Sequence, residues 1–168
     1  MEKASEGAGK LYVVATPIGN LGDISARALA LLAQADLVAA EDTRTTGHLL
    51  AHHGIAAKLV ALHEHNEMER AADLVAQMLA GKTIALVSDA GTPGISDPGV
   101  LLVARAMQAG ITVCPIPGAN AAIAALSASG LVSARFLFYG FLPAKAAARL
   151  AALEALREHA CALVFYEA

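Results

Sequence analysis

Short apolar runs alternate with helical patterns along nearly the whole chain, and few folds tolerate that alternation. The strand candidates are "LYVVAT" (11–16), "DLVAA" (36–40), "KLVALH" (58–63), "KTIALVS" (82–88) and "ITVCPI" (111–116), with helices expected at about 24–34, 43–53, 66–80 and 98–109. The strands are apolar at consecutive positions rather than at every second one, which is the mark of strands covered on both faces. The pattern predicts an α/β fold with a mostly parallel sheet flanked by helices. The helix over 66–80 is the clearest: Asn66 is placed to cap it, acids follow in its first turn, and Gly81 stops it. Leu74, Val75, Met78 and Leu79 fall on one face at helical spacing.

In such sheets ligands bind outside the carboxyl ends of the strands. Those ends carry the chain's least ordinary chemistry: "TPIGN", "EDTR", "HEHN", "SDAGTPG" and "PGAN" follow the five strands in turn. The fourth loop, "VSDAGTPGISDPG", holds far more turn residues than a reversal needs. Gly91 and Gly94 allow positive φ and close approach to a ligand, Pro93 stiffens the loop, and Asp89 offers a carboxylate. A phosphate cradle would want a lysine and N–H groups leading into a helix. Two acids and no lysine suit hydroxyls or a cation instead. Asp97, before Pro98 and Gly99, reads as the cap of the next helix with proline at its first position. No G-x-G-x-x-G follows the first strand, and "GAGK" (7–10) precedes it, so residues 1–10 read as a tail.

Other chemistries fare worse. His48 and His52 stand four apart on a helix without H-E-x-x-H, "HEH" sits at a strand end, and there is no G-x-S-x-G elbow, so neither a metal site nor a serine hydrolase is expected. "EDTR" by itself is explained as a helix start, with Asp42 or Thr43 capping and Arg44 paired to a neighbouring acid. A net charge of -3 gives no global attraction to nucleic acid, which would have to use a local patch or residues outside this chain. Cys114 and Cys161 read as two buried free thiols. No apolar run reaches the ~18 residues of a membrane span, and the N-terminus has no signal-peptide core, which reads as a soluble cytoplasmic protein.

Beyond the fifth strand the pattern restarts. A helix over 118–128 closed by Gly130 is followed by a strand at 135–140, a helix at 144–159 and a strand at 161–167. The expected division is an N-terminal α/β domain over 11–116 and the beginning of a C-terminal α/β domain over 117–168. The second pattern stops inside an α/β unit, which predicts a truncated chain.

Together, "TPIGNLGDIS", "AAEDTR", "LHEHN", "SDAGTPGISDPG", "PGANAAIAALSASGL", "YGFLPAK" and "LVFYEA" resemble the RsmI family of ribosomal small-subunit RNA methyltransferases, within the tetrapyrrole-methylase-like group of S-adenosylmethionine enzymes. The resemblance runs unbroken from Leu11 to Ala168. It implies homodimers of two α/β domains with the cofactor between them, and 2'-O-methylation of a cytidine ribose in the decoding region of 16S rRNA, in the 30S subunit. Carried over by motif, the cofactor contacts are Pro17, Val87, Ser88, Asp89, Thr92, Asn120, Ala121 and Glu167. At the mouth, Asp42 is the candidate base, with Arg44 and Asn66 orienting ribose or phosphate; Asp23 and Glu41 could equally serve as caps. The family continues past "FYEA" with a Pro-His-Arg segment, more strands and a C-terminal extension. A tetrapyrrole methylase of the precorrin type would share fold and cofactor, but usually shows a G-G-D-P-like loop where this chain has Ser88-Asp89-Ala90. A non-catalytic fragment of the RNA enzyme is the third reading.

Overall fold

The computed structural model describes residues 9–167, and the chain divides between Asn120 and Ala121 into two compact units. The first holds five strands, β1 (Lys10–Val14), β2 (Leu37–Ala40), β3 (Leu59–Ala61), β4 (Ile84–Val87) and β5 (Thr112–Ile116). They form one sheet in the order β3-β2-β4-β1-β5, and every pairing is parallel. Four helices connect them: α1 (Ala26–Gln34), α2 (Thr43–His52), α3 (Glu67–Leu79) and α4 (Val100–Gln108). The expected elements are all present, with ends that differ by at most two residues and β1 beginning one residue earlier. Of the predicted tail, residues 1–8 lie outside the described residues, while Lys10 already pairs with Thr112 in β1.

The sheet is buried on both sides because its middle strands are apolar at every position. β2 reads LVAA and β4 reads IALV, and all eight residues are buried. Alternate residues of these strands serve two separate cores. Leu37, Ala39, Ile84 and Leu86 pack with Leu74 and Met78 of α3 and Leu102 and Ala106 of α4. Val38, Ala40, Ala85 and Val87 pack with Ala28 and Leu32 of α1 and Leu49 and Leu50 of α2. The buried face of α3 is Ala71, Leu74 and Met78, with Val75 half-buried. Leu79, expected on that face, is 52% exposed. It ends the helix, where Gly81 at φ +94° turns the chain away from the core.

Two expected caps are built differently. Asn66 precedes α3 but makes no capping bond; its Oδ1 accepts from the His63 N–H at 2.9 Å and its amide donates to the Ala61 carbonyl at 3.2 Å, bracing the turn instead. Asp97 does not cap α4 either, and Pro98 is not its first residue, because the helix begins at Val100 after Gly99. The cap comes from another helix: Glu67 Oε1 accepts from the N–H groups of Gly99, Leu101 and Leu102 at 3.0, 2.9 and 3.1 Å. One carboxylate thereby satisfies three of the donors that a helix start leaves open, at the end of the dipole that favours negative charge. Gly99 makes the approach possible. It sits at φ +116°, and a Cβ there would lie 2.6 Å from Leu86 Cδ2.

The second unit contains α5 (Ala121–Ala128), β6 (Phe136–Phe141), α6 (Ala146–Leu156) and β7 (Ala162–Tyr166). β6 and β7 pair in parallel with an irregularity between Phe138 and Gly140, and Phe138 and Phe141 both set their rings edge-on to Tyr166. The Tyr166 hydroxyl accepts from the Ala122 N–H at 3.4 Å, tying α5 to β7. Cys114 and Cys161 are free thiols, half-buried rather than fully enclosed.

Replacing the shared cap tests its weight in the fold. Glu67→Ala should cost about 2 kcal/mol of unfolding free energy, and Glu67→Gln, which keeps an acceptor without the charge, should lose less. Urea unfolding of the three proteins reads the order directly; equal stabilities would show that the cap contributes nothing.

Candidate active site

All five strands point the same way, so the loops after them share one edge of the first unit. The loops are also bonded to each other. Thr16 and Gly91 exchange backbone hydrogen bonds of 2.8 and 3.0 Å as an isolated antiparallel bridge. The Thr16 hydroxyl donates to the Ser88 carbonyl at 3.0 Å. Thr92 Oγ1 donates to the Ala119 carbonyl at 3.1 Å, fastening the fourth loop to the fifth. Gly91 at φ +84° and Gly94 at φ +78° take the left-handed backbone expected of them.

The second and fourth loops interlock through acids. The Asp89 N–H donates to Glu41 Oε2 at 3.2 Å, and the Asp42 N–H donates to Asp89 Oδ1 at 3.0 Å. Each loop therefore offers one backbone donor and one carboxylate to the other. Asp42 also caps α2, accepting from the Arg44 N–H at 2.7 Å, and its carboxylate meets Arg44 Nη2 at 2.6 Å. The Arg44 guanidinium, by its hydrogen bond and charge, holds the Asp42 pKa down to about 2. Its neighbours are displaced the other way. Burial raises Glu41, partly opposed by the Asp89 N–H and reinforced by the charges of Asp89, Asp97 and Asp42. Burial likewise raises Asp97, against a hydrogen bond from the Ser88 side chain.

Two cavities open beside this knot. One, of about 300 Å³, is lined by Pro17, Gly19, Leu21, Thr45, His48 and Asp89. The other, of about 630 Å³, is lined by Glu41, His63, Glu64, His65 and Asp97, together with the start of α4. Glu41 lines the larger cavity and Asp89 the smaller, and the two are joined by the Asp89 N–H bond to Glu41.

The structure distributes the residues singled out from sequence unevenly. Pro17, Val87, Ser88, Asp89 and Thr92 lie at the ends of the adjacent strands β1 and β4, with Val87 and Ser88 buried and the Asp89 side chain at the cavity. The Thr92 hydroxyl is committed to Ala119. Asn120 ends the first unit; Ala121 and Glu167 belong to the second. Asp42 and Arg44 pair with each other, and the Asn66 amide is engaged within its own turn. The Asp42 carboxylate, expected as the base, caps α2 and pairs with Arg44. Glu41 and Asp97 are the acids that sequence reasoning read only as caps. For Glu41 the clue in the sequence is an acid one residue past an apolar strand; what the sequence could not show is the burial that raises both acids. Asp23 caps nothing: Asn20 caps the short turn Leu21–Asp23, and Ser25 caps α1. Among the described residues, no group of three or more His, Cys, Asp or Glu side chains is placed to hold a metal ion, and no helix is long and apolar enough to cross a membrane.

Known proteins resemble this chain in sequence and in fold. The chain is 59% identical over 159 residues to Ribosomal RNA small subunit methyltransferase I of Pasteurella multocida, covering 95% of this chain and 57% of that protein. Its counterpart of the same name in Escherichia coli O157:H7 is 56% identical over 166 residues, covering 99% of this chain and 58% of that one. The chain thus spans a little over half the length of these relatives. Among solved structures, uroporphyrin-III-C-methyltransferase from Thermus thermophilus aligns with a TM-score of 0.61 at 27% identity, over 80% of this chain and 64% of that one. Diphthine synthase shares the fold with a TM-score of 0.72 at 18% identity, over 94% of this chain and 64% of the other. Residues 10–168 match the Tetrapyrrole (Corrin/Porphyrin) Methylases, and the chain belongs to that family.

Proposed function

We propose that this chain carries the cofactor-binding half of an S-adenosylmethionine-dependent methyltransferase that modifies the ribose 2'-hydroxyl of a cytidine in 16S rRNA. The observation that supports it most is the bonded pair Glu41–Asp89, of which Glu41 lines the larger cavity and Asp89 the smaller, so that a methyl donor at one and an acceptor at the other could meet beside it. The relatives named for ribosomal RNA methylation, at 56–59% identity, support RNA as the acceptor. Assembly as a homodimer and action on the 30S subunit are part of the same proposal.

The smaller cavity suits the methyl donor. No lysine lines it, Asp89 contributes a carboxylate, and Pro17 and Leu21 supply an apolar side. Such a lining accepts hydrogen bonds from a diol and faces a cation without repelling it, which a polyphosphate site would not do. Pro17 and Asp89 would meet the cofactor in this cavity, with Val87, Ser88 and Thr92 shaping the loop that carries Asp89. When bound, S-adenosylmethionine supplies a methyl group on a cationic sulfur, already an activated leaving group.

The protein's task is then to align the ribose oxygen and take its proton. Glu41 serves as proton acceptor, since it lines the larger cavity and burial moves its pKa above the usual glutamate value of 4.5. Arg44, 86% exposed and tethered by Asp42, places a positive charge where an RNA phosphate would approach. Asp42 contributes as the anchor of that charge, and Asn66 by fixing the loop that bounds the acceptor cavity.

Incubation with methyl-labelled S-adenosylmethionine and 30S subunits from cells lacking the modification tests the reading. Label should appear on one cytidine ribose and protect the adjoining phosphodiester from alkali; label confined to a base, or to a precorrin offered in parallel, would overturn it. Arg44→Ala should lower transfer about tenfold through weaker RNA binding, mostly in KM. The rate should rise with pH along a limb set by Glu41, lying above the ordinary glutamate range because the acceptor must be ionised and burial resists ionisation. In Glu41→Gln the limb should vanish and the plateau rate fall by about 10²–10⁴-fold.

A further inference from the structure

Asp89 and Ala90 are exposed, and the residues on either side of them, Ser88 and Gly91, are buried. One residue holds both ends of that exposed pair. Thr16, 2% exposed, donates its hydroxyl to the Ser88 carbonyl at 3.0 Å, with the Gly91 carbonyl a second, longer acceptor at 3.4 Å. Its backbone exchanges hydrogen bonds of 2.8 and 3.0 Å with Gly91. The tip of the fourth loop is therefore pinned on both sides from the end of β1.

Strand pairing does not account for the hydroxyl. Leu11, Tyr12 and Val13 of β1 already pair with Ile84, Ala85 and Leu86 of β4, and the Thr16–Gly91 backbone bridge joins the segments beyond them. A valine would fill the same buried space and keep all of those backbone bonds. What the hydroxyl adds is a fixed Ser88 carbonyl. That carbonyl belongs to the same peptide unit as the Asp89 N–H, and because the unit is planar and trans its C=O and N–H point in opposite directions. Thr16 holds the oxygen end, and Glu41 Oε2 accepts from the N–H end at 3.2 Å. The plane so fixed is the base from which the Asp89 carboxylate reaches the smaller cavity, its Oδ1 accepting from the Asp42 N–H at 3.0 Å. Thr16 itself lines neither cavity, so any effect it has on a ligand passes through Asp89.

We propose that Thr16 is a positioning residue: its hydroxyl orients the Ser88–Asp89 peptide and, through it, the carboxylate that meets the methyl donor. The bearing on the methyl donor rests on the functional reading above; the hold on Asp89 rests on the bonds alone.

Thr16→Val and Thr16→Ser, each made in the wild-type and the Asp89→Asn background, test this in two ways. Without cofactor, the amide proton signals of Asp89 and Asp42 in NMR spectra report the two bonds to carboxylate. Both should move in Thr16→Val and stay in place in Thr16→Ser. Val38, whose N–H is bonded within the sheet to the Lys58 carbonyl, should keep its signal in both variants. In calorimetric titration with S-adenosylmethionine, Thr16→Val should bind about tenfold more weakly and Thr16→Ser within about twofold of wild type. In the Asp89→Asn background Thr16→Val should weaken binding no further, because both changes act on one contact. Losses that add, an unmoved Asp42 signal, or a Val38 signal that moves as far as the others would overturn the proposal. So would failure of Thr16→Val to fold, since the hydroxyl would then serve the sheet. If the wild type binds no S-adenosylmethionine while the Asp89 and Asp42 signals respond, the functional reading fails and the hold on Asp89 stands. Donor binding that Thr16→Val leaves unchanged sinks this proposal alone.

Discussion

β4 is the middle strand of the five and is buried on both faces, and the rest of the first unit depends on that placement. A central strand with apolar residues at every position can express polar chemistry only where it ends. The loop after it therefore carries what the strand cannot: Ser88, Asp89, Asp97 and the glycines that let the backbone turn back over the sheet. That loop must also reach α4, whose first turn lies against Leu86 of the same strand through Gly99. A crowded run of turn residues is the result of one strand having no edge.

Electrostatics at the site depend on how the acids are shared. Four carboxylates stand close together, yet they do not behave alike. Asp42 has a guanidinium and backbone donors and stays strongly acidic. Glu41 and Asp97 are partly desolvated among like charges and are pushed towards the protonated form. Environments that drive neighbouring acids apart in this way divide them into charge partners and proton carriers.

Much of this was legible in the sequence because it is local. Apolar runs located every strand, and the glycines at 81, 91 and 94 announced their backbone conformation. The loops at the strand ends were recognisable as one edge once a parallel sheet was inferred. What the sequence concealed was long-range. Asp97 next to Pro98 has the form of a cap, but the carboxylate that caps α4 comes from Glu67, 32 residues away from Gly99 along the chain. Asn66 has the form of a cap too, and the turn it braces took its side chain first. Leu79 fits the apolar stripe by spacing alone, and lost its place because the helix ends there.

The bridge between Thr16 and Gly91 sets two neighbouring parallel strands apart from the loops beyond them. Past β1 and β4 the two segments continue as a single antiparallel rung, closed by hydrogen bonds in both directions. Each loop is then the other's hinge stop. Opening either one breaks both bonds at once, so the Pro17 segment and the Asp89 segment must move as a unit. A ligand that touches only one of them already restrains the pair.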